Sequence, residues 1–318
     1  PLTQIRIIDA TDRLIRAPET LFDSKDAGLE AFGWNFPNIK LLEAFETARA
    51  ALGNLETREL ALSSIERGTT GWVLTLADGS VVETPLVVGS DGKKSLVRVA
   101  TDFRAREHGF TQAALVCDLE LGRRLGGASV EFHYEQGPFT LVPAGGSRAN
   151  LVWIDDREVL KAAQATGQDG LRAIFLEKSQ RLFGDIRLLT PAHMFLLSTL
   201  SVERAGMEGI VLAGEAAHAF PPIGAQGLNL GLRDVADLAA SLATVDRGTP
   251  DWARAVSADY AQRRADDLER TGGMVDALFR SLLSDFLPAQ ALRAGGLWAL
   301  RLVPPLRKRA FGLGMGQG

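Results

Sequence analysis

The chain has 318 residues, 46% of them hydrophobic and 23% charged, with a net charge of −4. That balance describes a folded chain long enough for one large domain or two ordinary ones, and its acidity gives no basis for nucleic-acid binding. One cysteine excludes an internal disulfide and fits a reducing compartment, and no apolar run is long enough to span a bilayer.

Pro1 stands where a methionine is usual, and Ile5 to Asp9 already alternates as a strand. The expectation is therefore a chain that begins in mid-fold, with no signal peptide leading it. Gly28 and Gly33 break residues 23 to 36 into loop. Asn38 is placed to cap a helix whose predicted apolar face is Leu41, Leu42, Phe45, Ala48 and Leu52. Residues 59 to 65 and 71 to 76 read as strands, Ala77-Asp78-Gly79 as a hairpin turn, and 81 to 83 as the returning strand. Leu86-Val-Val-Gly89 is a short buried strand that runs into Asp91-Gly92 and a helix start carrying Ser95 and Arg98. Asp91 can accept hydrogen bonds and Gly92 allows close backbone approach, although an Asp-Gly pair by itself predicts no more than a capped turn.

Residues 107 to 120, 129 to 134, 139 to 143 and 150 to 155 predict four antiparallel strands, separated by Glu135-Gln-Gly-Pro138 and Gly145-Gly-Ser147. Phe132, Phe139, Leu141, Val152 and Trp153 should line the faces of that sheet, mostly as core. Cys117, among Leu115, Val116 and Leu119, reads as a buried structural thiol. Helices are expected at 157 to 166 and 170 to 183, then a strand at 196 to 202. After residue 242 the chain reads as helix, over 252 to 283 and 287 to 303, with Gly272-Gly273 as a kink in the first.

The stretch from Glu208 to Leu242 organises the rest. Ile210 to Ala213 is an apolar run suited to a buried parallel strand, and Gly214 ends it. Glu215 then sits at the carboxyl end of that strand, where open α/β sheets bind ligands. Pro221 and Pro222 fix a loop, and Gly224 and Gly227 let backbone N–H groups approach a ligand. From about Gln226 a helix begins, with Leu228, Leu232, Val235, Leu238 and Leu242 on one predicted face. A helix start behind a Gly-rich loop offers unpaired N–H groups to an anionic group. The four histidines, His108, His133, His193 and His218, are scattered, and no metal-ligand, Ser-His-Asp or paired-carboxylate pattern is present. His218 is expected to pack and hydrogen-bond.

Gly214-Glu-Ala-Ala-His218, followed by Pro222-Ile-Gly-Ala-Gln-Gly-Leu-Asn-Leu-Gly-Leu-Arg-Asp234, resembles the second FAD motif of the single-component flavin aromatic hydroxylases, with Glu215 in place of the usual Asp. Asp91-Gly92 resembles that family's Asp-Gly motif near the FAD pyrophosphate. Gly137-Pro-Phe-Thr-Leu-Val-Pro143, Leu151-Val-Trp153, Tyr260-Ala-Gln-Arg-Arg-Ala-Asp266 with Thr271, and the tail from Leu297 to Pro305 look like its ubiquinone-biosynthesis branch. The resemblance implies an α/β fold. A Rossmann-like FAD-binding domain would occupy 1–105 and 201–250, an antiparallel substrate domain 106–200, and C-terminal helices 251–318. It implies FAD and NAD(P)H as cofactors, held through Asp91, Gly92, Gly214, Glu215, Pro222, Gly224, Gln226, Gly227, Leu228 and Asn229, with no catalytic side chain assigned.

The implied reaction uses O2 to hydroxylate a lipophilic phenol. The implied setting is cytoplasmic, peripheral at the inner face of the membrane, within a ubiquinone-biosynthesis assembly. The family's opening Gly-x-Gly-x-x-Gly turn is not found. Gly68-Thr-Thr-Gly71 reads as a hairpin, and Gly312-Leu-Gly-Met-Gly316 follows no strand. The relatives' Arg near the first helix falls at Asn38. The first βαβ unit is thus missing from the resemblance, and the expectation is that this chain binds FAD weakly or not at all. Two alternatives follow, a non-catalytic fragment or a related flavoenzyme such as a prenyl reductase; a halogenase would carry Trp-x-Trp-x-Ile-Pro, and none is present. Leu297, Trp298, Leu300, Leu302, Val303, Leu306 and Phe311 interleave with Arg301, Arg307, Lys308 and Arg309, a pattern suited either to an anionic membrane surface or to ordinary packing.

Overall fold

The computed structural model describes residues 1 to 11, 18 to 222 and 226 to 283. The predicted helix at 287 to 303, Gly224 and the basic C-terminal segment lie outside the described residues. The chain forms two compact units. One gathers Pro1–Leu55 and Thr111–Leu196, the other Glu56–Phe110 and Leu197–Phe279.

The first unit is built on a sheet. Ala128–Tyr134, Gly137–Pro143 and Arg148–Asp156 form an antiparallel meander. Ala105–Leu121 pairs with the far side of Arg148–Asp156. Ile186–Leu188 in turn pairs antiparallel with the end of Ala105–Leu121. The N-terminal strand Gln4–Asp9 adds in parallel to Ala128–Tyr134, and Thr20–Asp23 pairs antiparallel with Gln4–Asp9.

Alternation decides the faces. Leu115, Cys117 and Leu119, with Leu141, Leu151 and Trp153, point into one core, covered by the helices Arg157–Ala165 and Gly167–Lys178. Phe139 lies at its centre, with ring centroids 6.1 Å from Phe132, 6.4 Å from Trp153 and 5.9 Å from Phe175. Full burial of each such side chain is worth about 1.5–3 kcal/mol. The opposite face is half-buried and carries Val152, Asp118 and Asn150, with Asn150 donating to Asp118 at 2.6 Å. Lys178 lies over the Tyr134 and Trp153 rings and pairs with the buried Asp155 at 3.5 Å. Burial pulls its ammonium below the ordinary lysine range, against the opposing pull of Asp155.

In the second unit Ile210–Leu212 pairs in parallel with Val87–Gly89 and antiparallel with Gly206–Met207. The hairpin sheet Leu62–Arg67, Trp72–Leu76 and Val81–Thr84 stands beside it. Two long helices complete the unit, Gln226–Thr244 and Trp252–Leu283. Among the described residues Val87–Gly89 has a strand partner on one side only.

Four expectations need correction. The helix Asn38–Ala50 is capped by Pro37, whose carbonyl takes the first helical bonds, so Asn38 is already inside the helix and its side chain caps nothing. Its apolar residues do not form a buried face, since Ile39, Leu42 and Phe45 are all more than half exposed, as is Leu52 beyond its end. The strand predicted from residue 59 begins at Leu62. The helix predicted to reach residue 183 stops at Lys178, because Gln180 and Arg181 take left-handed φ values of 51° and 54°.

The Cys117 thiol is pushed up to about 12, by burial first and then by the neighbouring Asp118 carboxylate. At pH 8 it is therefore a neutral, inaccessible thiol. We expect no reaction with thiol reagents in the folded chain and complete reaction in denaturant, read by mass spectrometry. Rapid labelling under native conditions would contradict the burial.

Candidate functional site

The parallel register aligns Leu212 with Gly89, so the turns after both strands leave the same end of the small sheet. The first turn carries Ser90, Asp91 and Gly92, the second Gly214 to Ala217. Together with the helix Gln226–Thr244 they enclose a hollow of about 370 Å³ lined by Ser90, Gly92, Ala213, Gly214, Glu215, Gly231 and Val235. Two sequence motifs 120 residues apart thus meet at one end of one sheet.

Each side of the hollow has a local cause. Asp91 Oδ2 accepts from the backbone N–H groups of Leu96, at 2.7 Å, and Val97, at 3.2 Å, so this carboxylate caps the short helix Leu96–Ala100. Gly92 has φ +80° and Gly214 φ +59°, with open space where a Cβ would stand in both, so glycine here is a conformational requirement. Gly231 brings the long helix close: a Cβ there would lie 3.7 Å from the Gly214 Cα.

Buried side chains behind the hollow fix its shape. Arg98 Nη1 donates to Ala216 O at 2.8 Å and Nη2 to Lys93 O at 2.6 Å, tying the two turns together. Asp234 Oδ2 accepts from the Gly214 amide and lies 2.7 Å from His218 Nε2. Asp234 Oδ1 accepts from Arg264 Nε at 2.7 Å. Arg264 also pairs with Asp237 and Asp267, at 2.8 Å each. Tyr260 donates to Leu212 O at 2.9 Å, and burial first, with Asp234 beside it, pushes its phenol above the ordinary range.

The predicted site residues fall into three groups. Gly92, Gly214 and Glu215 line the hollow, and Asp91 adjoins it as a cap. Pro222, Gly227, Leu228 and Asn229 are exposed at the loop and first helical turn, and none of them lines it. Gly224 lies outside the described residues, and of Gln226 the structure describes only its backbone at the helix start.

The predicted apolar face of that helix holds at Leu238, packed against the core, and at the half-buried Leu242, and is corrected at its other three positions. Leu228, Leu232 and Val235 are exposed by 60%, 51% and 61%, while Leu230, Asp234 and Ser241 are buried. Of its three charged residues, Arg233, Asp234 and Asp237, the helix buries Asp234, because Arg264 and the Gly214 amide bond it there, a cause that apolar periodicity cannot register. Ser90, Gly231, Asp234 and Arg264 are parts of the site that the sequence reading did not assign. The signal available for Asp234 was its position four residues after Leu230 and four before Leu238.

Comparison with known proteins supplies the family. The FAD binding domain family model matches residues 38–270. The chain is 31% identical to "Ubiquinone hydroxylase UbiL" of Rhodospirillum rubrum, over 97% of this chain and 71% of that protein. It is 26% identical to "3-demethoxyubiquinol 3-hydroxylase" of Escherichia coli, over 93% of this chain and 76% of that protein. A crystal structure of Klebsiella pneumoniae R204Q HpxO complexed with FAD shares the fold at a TM-score of 0.76 and 16% identity, covering all of this chain and 83% of its own.

A larger side chain at Gly231 would project between the helix and the Gly214 turn. We expect Gly231→Val to keep the folded chain, with stability changed by about 1 kcal/mol or less because the helix gains from losing glycine, and to close the hollow to an FAD-sized ligand. Urea denaturation and FAD titration check both halves. Undiminished FAD uptake would remove the hollow from the site.

Proposed function

The chain belongs to the family of FAD-dependent aromatic hydroxylases of the ubiquinone-biosynthesis type, and from that premise we propose that it places one atom of O2 on the ring of a lipophilic phenol of that pathway. The observation that carries the proposal is the hollow at the shared carboxyl end of Val87–Gly89 and Ile210–Leu212, with three glycines and a carboxylate on its walls.

The residues present fit FAD. Gly92 and Gly214 leave open space where side chains would otherwise stand, so a planar or polyhydroxylated ligand can lie against backbone. Glu215 offers carboxylate oxygens to ribitol hydroxyls, taking the role usual for Asp with one more methylene. Gln226, Gly227, Leu228 and Asn229 begin a 19-residue helix whose first N–H groups and positive dipole end favour developing negative charge. Asp91, engaged as a helix cap, acts by shaping its loop. When bound and reduced by NAD(P)H, FAD supplies the activation of dioxygen. The protein's part is to hold the cofactor, orient the phenol and keep water from the reacting atoms.

Charge and hydropathy suggest where the substrate is met. A polyprenyl phenol resides in a membrane, and no helix among the described residues is long and apolar enough to cross one. We place the contact at the basic segment Arg301 to Arg309, at the inner membrane face alongside other pathway enzymes. Each basic residue near an anionic surface contributes about 1 kcal/mol, enough in combination for weak and reversible attachment.

Two experiments test these readings. With FAD, NAD(P)H and a short-chain polyprenyl phenol under 18O2, the product should gain one labelled oxygen, and Glu215→Ala should lower FAD affinity by about tenfold, the scale of one charged hydrogen bond. NAD(P)H oxidation without labelled product would defeat the hydroxylation, and no flavin uptake at all would leave a non-catalytic chain. For the membrane, the chain should sediment with anionic liposomes, release with salt, and lose binding when Arg307, Lys308 and Arg309 become Gln. Equal binding to neutral vesicles, or none to either kind, would show that this segment packs on the protein.

A further inference from the structure

We infer that Asp234 is a positioning residue for the cofactor site: it holds the Gly214 amide, and through it sets where the Glu215 carboxylate stands. The inference rests on the reading of the hollow as the FAD site.

Core packing supports only the far end of the Gly214–Ala216 turn, at the buried Ala216. At the near end Gly214 has no side chain, and the place where its Cβ would stand is open. Hydrogen bonds hold it instead. The Gly214 carbonyl accepts from Ala217 N within the turn, Arg98 grips Ala216 O, and the Gly214 N–H donates to Asp234 at 2.7 Å. The Asp234 bond is the one that fixes the entry of the turn, one residue before Glu215.

Asp234 does not line the hollow, so its effect on a ligand passes through the turn. It is only 1% exposed, and donors meet both its oxygens. Gly214 N and His218 Nε2 are at Oδ2, and Arg264 Nε is at Oδ1. A carboxylate is acceptor-only and satisfies both sides at once. An amide has one accepting end and one donating end, so Asn in this place keeps its oxygen on the charged Arg264 guanidinium, the stronger donor, and turns its NH2 towards the Gly214 amide, which loses its bond. This arrangement also puts a proton on His218 Nε2, the nitrogen that faces the carboxylate.

Arg264 completes the device. Its guanidinium is 2% exposed and is shared among Asp234, Asp237 and Asp267. It thereby anchors Asp234 from the helix Trp252–Leu283 and fixes the carboxylate's rotation. The turn, and with it Glu215, takes its position from a charge network that never touches the ligand.

The test compares Asp234→Asn, Glu215→Ala, the double variant and a control in the full chain. The control is Ser257→Ala, which removes the 3.0 Å bond to Gly209 N at the opposite end of the same strand. Two quantities are read: FAD affinity by flavin fluorescence, and hydrogen exchange of the Gly214 amide by NMR without flavin. We expect Asp234→Asn to weaken FAD binding and speed Gly214 exchange, each by about tenfold or more, the scale of a lost bond to a charged group. The double variant should bind FAD no more weakly than the worse single variant, because both act through one carboxylate position. Ser257→Ala should leave the Gly214 amide and the affinity near wild type.

Additive losses, a protected Gly214 amide in Asp234→Asn, or an equal loss of affinity in Ser257→Ala would overturn the inference. A wild-type chain that takes up no FAD would overturn the reading of the hollow and the positioning role together. Weakened binding in Glu215→Ala with wild-type affinity in Asp234→Asn would overturn the positioning role alone.

Discussion

The second unit depends on one buried charge pair, Asp234 with Arg264. Removing two ions from water costs several kcal/mol each, and their mutual attraction repays that only when every remaining donor and acceptor is placed. Burial opposes the charge on Arg264, but bonds from Asp237, Asp234 and Asp267 outweigh it and hold the guanidinium above its ordinary range. The pair is therefore a poor source of net stability and a strong source of geometry. An apolar contact between the helices Gln226–Thr244 and Trp252–Leu283 would tolerate rotation and sliding. Bonds at both oxygens of one carboxylate do not, and they reach two helices, a strand-end turn and a buried histidine at once.

That geometry explains why the lining of the hollow can be so bare. Five of the seven residues lining the hollow are glycine, alanine or serine, with Val235 as its one larger apolar side chain and Glu215 as its carboxylate. Small residues allow close approach but hold nothing in place themselves. The stiffness has to come from behind, and it does: Arg98 ties turn to turn, Tyr260 holds the end of the central strand, and Asp234 holds the start of the Gly214 turn. The first unit solves its problem differently. Phe132, Phe139, Trp153 and Phe175 interlock on one face of a sheet whose register is set by alternation, and its half-buried opposite face is free to carry polar residues such as Asp118 and Asn150.

What the sequence made legible follows from which forces are local. Strand alternation and glycine breaks are local, and the antiparallel meander at 128–156 and the strand at 210–212 were readable to within two residues. So was the start of the helix at Gln226 and the full span Trp252–Leu283. The two turns of the site were readable because each combines an apolar run, a glycine and an acid in a fixed order. The failures are of a different kind. Asn38 has the chemistry of a cap, but Pro37 supplies the carbonyl where the helix begins, and a preference cannot show which of two adjacent residues takes that place. Gln180 and Arg181 end a helix in left-handed conformations that their side chains do not favour, held by backbone bonds from Gln180 N to Glu177 O and from Arg181 N to Leu176 O.

The misassigned face of the helix Gln226–Thr244 is the most informative failure. Leu228, Leu232 and Val235 have the spacing of a core stripe and are exposed, while Asp234 has the chemistry of a surface residue and is buried. Apolar periodicity measures the transfer of side chains one at a time, but Asp234 is buried as a member of a set. Its partner Arg264 lies 30 residues away on another helix, His218 lies 16 residues before it, and a further donor is a backbone N–H with no side-chain signature at all. A buried charge becomes legible only when its counter-charge is found, and in this chain the two were visible as part of separate motifs, Gly-Leu-Arg-Asp234 and Tyr260-Ala-Gln-Arg-Arg264. The residues that hold the site's shape were thus present in the sequence pattern, and only their pairing in space gives them a role.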